Sequence, residues 1–353
     1  MRRTGKQLAR SLVVSDPGDV RIGPVLAIPD VLVELGANPR RVFNEAGVEI
    51  DLFRNPDSRI GFEDLGRLLG SCVDATGNDA FGLLVGERFG LTALGPIGQL
   101  MRNSATVGEA LRSLVLHLHL HDRGAAPVLL APEASSVMLG YSIYRHATPM
   151  ATQIYAGAIA IAFKTLRELC GAPWKPSRVQ FSHARPANIT PYTRVFGSEV
   201  WFEADVSGIV FASSWLHRPI PGADAALFAA TEAAVREAEA SGPTALPDQV
   251  QGILHQMVLS GSASSGAVAR LFGVPERTLR RRLREAGKSL RTLVSEARFE
   301  LACQLLQNTG LSIAEIAGAL QYNDANAFSR AFSNWAHVSP TRWREKAALP
   351  TEN

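Results

Sequence analysis

The chain has 353 residues, a formal net charge of +3, 46% hydrophobic and 20% charged residues. That length allows two domains, and the composition is that of an ordinary soluble protein with no apolar run of about 18 residues to span a membrane. Three scattered cysteines, Cys72, Cys170 and Cys303, exclude a disulfide framework and a Cys-rich zinc site and fit a reducing, cytoplasmic setting.

Residues 1–20 read as a flexible basic tail. Leu12, Val13 and Val14 are too short an apolar stretch for a signal peptide. Helical spacing of apolar residues follows over 30–46, over 61–76 with Phe62, Leu65, Leu68, Leu69 and Val73 on one side, and over 107–120. The texture then changes. Residues 127–130 and 137–144, around a turn at Pro132–Ala134, predict a β-hairpin. An alanine-rich apolar helix is expected over 150–170, short strands over 178–182 and 208–212, and a helix over 223–240. Residues 241–247, Ser-Gly-Pro-Thr-Ala-Leu-Pro, read as a linker.

Beyond the linker every element is a helix: 247–260, 264–272, 275–286, 290–308, 313–320, 324–335 and 340–346. Ser312 and Glu315 form a capping box, and Ser339-Pro340 is a cap followed by proline at the first helical position. The second with the third, and the fifth with the sixth, make two helical hairpins, the first turned at Gly273. They are an internal repeat. Val268-Ala269 matches Ile316-Ala317, and the core pair Leu279 and Leu283 matches Phe328 and Phe332. The second turn has one extra residue. The expected class is therefore an α+β front domain followed by an all-α tandem helix-turn-helix domain. The divisions are a tail at 1–20, an α+β domain at 21–240, a linker at 241–247, a helical domain at 248–346 and a tail at 347–353.

Charge follows the same division. Residues 245–353 hold 13 Lys+Arg against 9 Asp+Glu, a net of +4; residues 1–244 hold 23 against 24, a net of −1. The positive excess sits where phosphate would be met. With Leu279 inward, Arg277, Arg281 and Arg284 point out, Arg280 lies at the edge and Arg282 falls nearer the core. With Phe328 inward, Asn326, Arg330 and Ser333 point out. Arginine reads guanine and asparagine reads adenine in a major groove. The connecting helix spans about 28 Å at ~1.5 Å per residue, which suits two readers one DNA turn, ~34 Å, apart. An arginine run alone is as often a solvated helix face; its repetition on a second polar outward face argues for DNA.

The segments VPERTLRRRLREAGKSLRTLVSEARFELACQLL and LSIAEIAGALQYNDANAFSRAFSNWAHVSPTRWR closely resemble the AraC/XylS family of bacterial transcription regulators, from about residue 246 to 344. The resemblance implies a bipartite DNA-binding domain. Arg277, Arg280 and Arg281 match base-reading positions of its first recognition helix, and Asn326 and Arg330 match those of the second. Thr278 and Ser329 match phosphate partners; Arg284 and Ser333, outward on the same helices, join them. Pro275 departs from the usual Ser cap, and Gln321 and Ala325 replace the more usual glycine and proline around the second turn.

The front region, about 22–225, resembles the effector domain of family members similar to the ornithine-utilisation regulator. It does so through LGANPRRVFNEAG, TGNDAFGLLVGERF, LTALGPIGQLMRNSATVGEAL and PYTRVFGSEVWFEADVSGIVF, followed by WLHRPIPGAD. With so many helices before its strands it is not the cupin-like barrel of the arabinose regulator. The resemblance implies a small-molecule sensor. Tyr141, Tyr144, Arg145 and His146, at the end of the hairpin before the apolar helix, are candidate effector residues, with Arg145 or His146 pairing a carboxylate. His117 and His121 share a helix face as a possible metal pair, but no nearby Glu or Cys completes a site. Trp174, Tyr192 and Trp201 read as core or interface anchors.

The expected function is a DNA-binding transcription regulator answering to an unidentified small molecule, as a homodimer, meeting RNA polymerase if it activates. A constitutive regulator whose front domain only dimerises is the alternative. An enzyme is not expected. There is no cysteine cluster for alkyl transfer, no phosphate loop and no glycine frame around Phe211-Ala-Ser-Ser-Trp for a nucleophile elbow. No cofactor, metal or membrane partner is expected.

Overall fold

A computed structural model describes residues 18–133, 135–143, 148–204, 206–241, 246–259, 263–272, 274–308 and 311–348. Strand β1 (Asp19–Arg21) pairs antiparallel with β2 (Arg59–Gly61), and the helices α1 (Ile28–Glu34) and α2 (Pro39–Ala46) lie between them in sequence. Asn38 caps α2 by accepting the Arg41 N–H at 3.3 Å, and Gly47 ends it in the left-handed region at φ +68°. Then come α3 (Phe62–Thr76), α4 (Phe81–Gly86), α5 (Pro96–Arg102) and α6 (Val107–His117).

The main sheet is open, five-stranded and mixed. Its strands are β3 (Ala125–Glu133), β4 (Ser136–Ile143), β5 (Arg178–Gln180), β6 (Val200–Trp201) and β7 (Gly208–Ala212), in the order β3-β4-β7-β5-β6. All neighbours run antiparallel except β5 and β6. Alternation puts Val137, Leu139, Val179, Ile209 and Phe211 into one apolar cluster with α7 (Ala151–Cys170), which contributes Ile159, Phe163 and Leu166. The short α8 (Thr190–Phe196) adds Tyr192 and Phe196 to it. A second cluster gathers Phe43, Phe62, Leu65 and Phe81 from the N-terminal helices with Ile154 and Tyr155 of α7.

Helix α7 crosses α4 backbone to backbone. A Cβ on Gly82 would lie 2.1 Å from the Gln153 carbonyl oxygen, and one on Gly86 would lie 2.3 Å from that of Gly157. Those glycines are required by the approach. Trp174 and Tyr192 are buried as anchors among Phe163, Phe181 and Phe211, whereas Trp201 is 44% exposed and carries the Arg178 guanidinium 4.4 Å above its ring. Trp201, on the edge strand β6, is therefore an exposed ring that carries a cation, not a core anchor.

After α9 (Ala225–Ser241) the chain is helical: α10 (Leu246–Leu259), α11 (Ser265–Leu271), α12 (Glu276–Glu285), α13 (Leu290–Asn308), α14 (Ile313–Ala319), α15 (Ala325–Ala336) and α16 (Pro340–Ala348). A third cluster holds them. Leu293, Ala297, Leu301 and Leu305 of α13 sit among Leu279, Leu283, Phe328 and Phe332. The buried residues of α13 fall on several sides, as expected of a helix with a unit packed on each flank. Arg344 of α16 donates to the carbonyls of Leu306 at 3.2 Å and Leu311 at 2.6 Å, so it covers carbonyls at and just beyond the end of α13. Among the described residues no helix is long and apolar enough to cross a membrane.

Candidate nucleic-acid interface and effector cavity

The two helical hairpins are built alike down to their turns. Val268 and Ala269 of α11 are buried, as are Ile316 and Ala317 of α14. Each first helix ends in a backbone bond that reaches back five residues: the Val274 N–H to the Ala269 carbonyl at 3.0 Å, and the Tyr322 N–H to the Ala317 carbonyl at 2.8 Å. This is the Schellman geometry, which puts one residue in the left-handed region. In the second unit that residue is Gln321, at φ +61°. Gly273, at the turn of the first unit, lies outside the described residues.

Four residues separate α11 from α12 and five separate α14 from α15. The extra residue precedes Asp324, whose carboxylate accepts the Ala327 N–H at 2.7 Å and caps α15. Pro275 sits at the cap position of α12 with no side-chain bond. The capping box at α14 is made both ways, Ser312 N–H to Glu315 at 2.7 Å and Glu315 N–H to Ser312 Oγ at 3.2 Å.

The inner faces of α12 and α15 are Leu279 with Leu283 and Phe328 with Phe332, all buried. Arg277, Arg280, Arg281 and Arg284 are exposed on α12; Asn326 and Arg330 are exposed on α15. Thr278, Ser329 and Ser333 are half-buried at the shoulders. Arg282, expected nearer the core, is exposed as well, because the buried stripe of α12 is only as wide as its two leucines. The arginines lean on their own helix: Arg280 on Glu276 at 3.4 Å and Arg281 on Glu285 at 3.0 Å. Such exposed pairs are worth little.

A groove runs between α12, the start of α13 and the end of α15. Arg280, Arg284, Lys288, Arg291 and Arg298 line it, with Asn334 and Trp335 on its far wall. Trp335 donates its indole N–H to Ser295 Oγ at 3.1 Å, and the Arg298 guanidinium lies 5.1 Å from the Tyr322 ring centre. The cations of α13 were not singled out from sequence. They belong to the connecting helix, and only the fold brings them beside α12.

The front domain holds a cavity of about 120 Å³. Helix α7 forms one wall, with Gln153, Ile154 and Ile161. Gly82 of α4 and Phe62 and Leu69 of α3 close another, and Leu139 and Tyr141 of β4 face them. Of the four candidate effector residues, Tyr141 lines this cavity; Tyr144, Arg145 and His146 lie outside the described residues.

Tyr141 donates its hydroxyl to Asp122, whose other oxygen accepts the N–H groups of Gly124 at 2.9 Å and Ala125 at 3.0 Å. Burial pushes the Asp122 carboxyl up to about 7, against the pull of these bonds and of the Arg59 charge. His121 is held well below the usual imidazole range by burial and by Arg21 and Arg59. Arg21 lies 3.4 Å from its Nδ1 and pairs with Asp57.

His117 and His121 do not share a face. Helix α6 ends at His117 and the chain tightens into a 3₁₀ turn over Leu118–Leu120, which rotates His121 inward. No group of metal-ligating side chains occurs among the described residues.

The two regions touch. Helix α10 packs against β3 and α6, and Leu116 of α6 joins the apolar cluster of the helical module. Strand β3 therefore has the cavity at Pro127 and a helix of the C-terminal module as neighbours.

Residues 36–220 match the family model described as the arabinose-binding domain of AraC transcription regulator, N-terminal, and residues 268–346 match a helix-turn-helix domain. The ornithine utilization regulator of Pseudomonas aeruginosa is 27% identical over 328 residues, which cover 90% of this chain and 94% of that protein. The HTH-type transcriptional regulator VirS of Mycobacterium tuberculosis is 26% identical over 317 residues, 89% of this chain and 93% of that one. Among solved structures the chain is similar to the transcriptional regulator CdpR of Pseudomonas aeruginosa at 22% identity, covering 90% of this chain and 96% of that chain with a TM-score of 0.44.

Proposed function

We propose, from the premise that this chain belongs to the AraC family of DNA-binding transcription regulators, that its tandem helix-turn-helix units read two successive major grooves and that a small molecule held in the front domain controls them. The observation that carries the first part is the duplicated outward face. Arg277, Arg280 and Arg281 on α12 and Asn326 and Arg330 on α15 stand free of the core on helices built to one plan. We assign base reading to these five and phosphate binding to Thr278, Arg284, Ser329 and Ser333. The working unit is a chain whose front domain, residues 21–240, also dimerises, with the DNA-binding domain at 248–346. RNA polymerase is its further partner where it activates.

The cavity and the α10–β3 contact favour control by a ligand over a front domain that only dimerises. A ligand that binds one arrangement of β3 better than another shifts the population of α10 positions. The sugar named in the family description and the amino acid named in the Pseudomonas relative are not carried over, because most of the polar side chains that line the cavity among the described residues are already engaged with other groups of the protein.

The test is a map of where the purified full chain binds fragmented DNA of its own genome at fixed salt. Paired half-sites about one turn, ~34 Å, apart support two-groove reading. Diffuse binding that falls alike on all sequences as salt rises overturns it.

A further inference from the structure

The cavity lies on the seam between the two apolar clusters of the front domain. Leu118 and Leu139 belong to one; Phe62, Leu69 and Ile154 belong to the other. Its few polar walls are mostly committed. Gln153 donates to the Asp79 carbonyl at 2.7 Å and accepts the Gly82 N–H at 2.8 Å. Asp122 already holds Tyr141 and two backbone N–H groups, and His121 stands against Arg21. Thr165 is different. It is 1% exposed, it lines the cavity from α7, and its hydroxyl has no hydrogen-bond partner among the described residues. A buried hydroxyl left unpaired is costly until an atom arrives to meet it.

We propose that this cavity binds a neutral, largely hydrocarbon small molecule whose single hydroxyl or carbonyl group meets Thr165 Oγ1. The proposal rests on the effector reading above and names the ligand class for it. A pentose carries a hydroxyl on nearly every carbon, and one uncommitted partner leaves most of them buried without a bond. A diamino acid brings two ammonium groups and a carboxylate. Among the described residues the acidic and basic side chains that line the cavity are His121 and Asp122, already engaged with Arg21 and Tyr141, so those charges would be buried unpaired. In size the cavity is close to an engineered apolar one of ~150 Å³ that stays dry and admits benzene. The occupant is therefore about as large as one ring.

The experiment titrates the full chain by calorimetry with toluene, benzyl alcohol, benzoate, L-arabinose and L-ornithine, and repeats the first two on Thr165→Val. Valine keeps the shape of threonine without the hydroxyl, and circular dichroism verifies that the variant is folded. Benzyl alcohol is expected to bind about three- to tenfold more tightly than toluene. Thr165→Val is expected to remove that preference and leave toluene binding unchanged. Silence from both toluene and benzyl alcohol overturns the proposal, as does tighter binding of benzoate, arabinose or ornithine, or a preference that survives in Thr165→Val. DNA affinity is measured beside it. If benzyl alcohol binds as expected while DNA affinity stays the same, the cavity takes this class of molecule and the effector reading is what fails.

Discussion

Nε2 of His255 lies 2.6 Å from Oε2 of Glu300, and this bond ties α10 to α13. His255 is fully buried, and Gln251 of α10 adds a second bond to the same carboxylate oxygen at 3.2 Å. Helix α10 touches the front domain through β3 and α6, while α13 touches α14, α15 and α16. One carboxylate thus links the helix that touches the front domain to the helix that packs against α14 and α15.

Glu300→Ala is expected to lower the unfolding free energy by about 1–3 kcal/mol, because the buried imidazole loses its carboxylate partner. Glu300→Gln, which keeps an oxygen in place, is expected to lose less. Urea denaturation of both variants checks the order, and equal losses would mean that the bond contributes only packing.

Gln321 stands in the left-handed region, at φ +61°, in the Schellman turn that ends α14. A left-handed non-glycine residue costs roughly 1–2 kcal/mol, part of which glycine returns as unfolded-chain entropy. Gln321→Gly is expected to raise stability by about 0.5–1 kcal/mol. A fall in thermal midpoint would show that the glutamine side chain makes up for its backbone.

Arg281→Ala is expected to cost about 1–3 kcal/mol on the cognate site and to relax the preference at one base pair. Arg284→Ala is expected to weaken binding alike on all sequences and to reduce the salt slope by about one. Anisotropy titrations on a panel of single-base variants at several salt concentrations separate the two. A uniform loss for Arg281→Ala would move it to the phosphate set.

Asp122 titrates higher in the folded protein, at about 7, than a free carboxyl does. Between about pH 4 and 7 the folded state therefore holds more protons than the unfolded one, and this group lowers stability as pH rises through that window. The slope it adds is at most roughly 1.4 kcal/mol per pH unit. Buried neutral His121 acts oppositely, removing stability as pH falls below the ordinary imidazole range. Asp122→Asn is expected to gain on the wild type from pH 4 to pH 7. A gap that stays constant with pH would mean that Asp122 is ionised throughout.

The helical module was legible because its signals are local. Ser312 with Glu315, Ser339 with Pro340, and the core pairs at i,i+4 all lie within a turn or two of each other. Strands β3, β4, β5 and β7 of the front sheet were legible, and β6 and the strand order were not. Placing β7 between β4 and β5 depends on pairings such as Leu139 with Ile209, seventy residues apart. The helices Phe81–Gly86, Pro96–Arg102 and Thr190–Phe196 went unread, since six or seven residues do not complete two periods. Outward arginines follow from a helical wheel. The cluster around Asp122 does not, because Arg21 and Arg59 arrive from the separate two-stranded sheet, whose strands are some forty residues apart.

Helix α13 packs against both helical units, and a helix turns ~100° and rises ~1.5 Å with each residue. Inserting one residue into it would swing α15 a quarter-turn away from the DNA while barely lengthening the reach. Only a step of about seven residues brings the second reader back near its bearing, ~10 Å further along, which is about three base pairs. Under the proposed two-groove reading, the spacing between the two halves of the operator is therefore quantised by a protein helix. It can drift by a base pair only if the duplex bends to meet it.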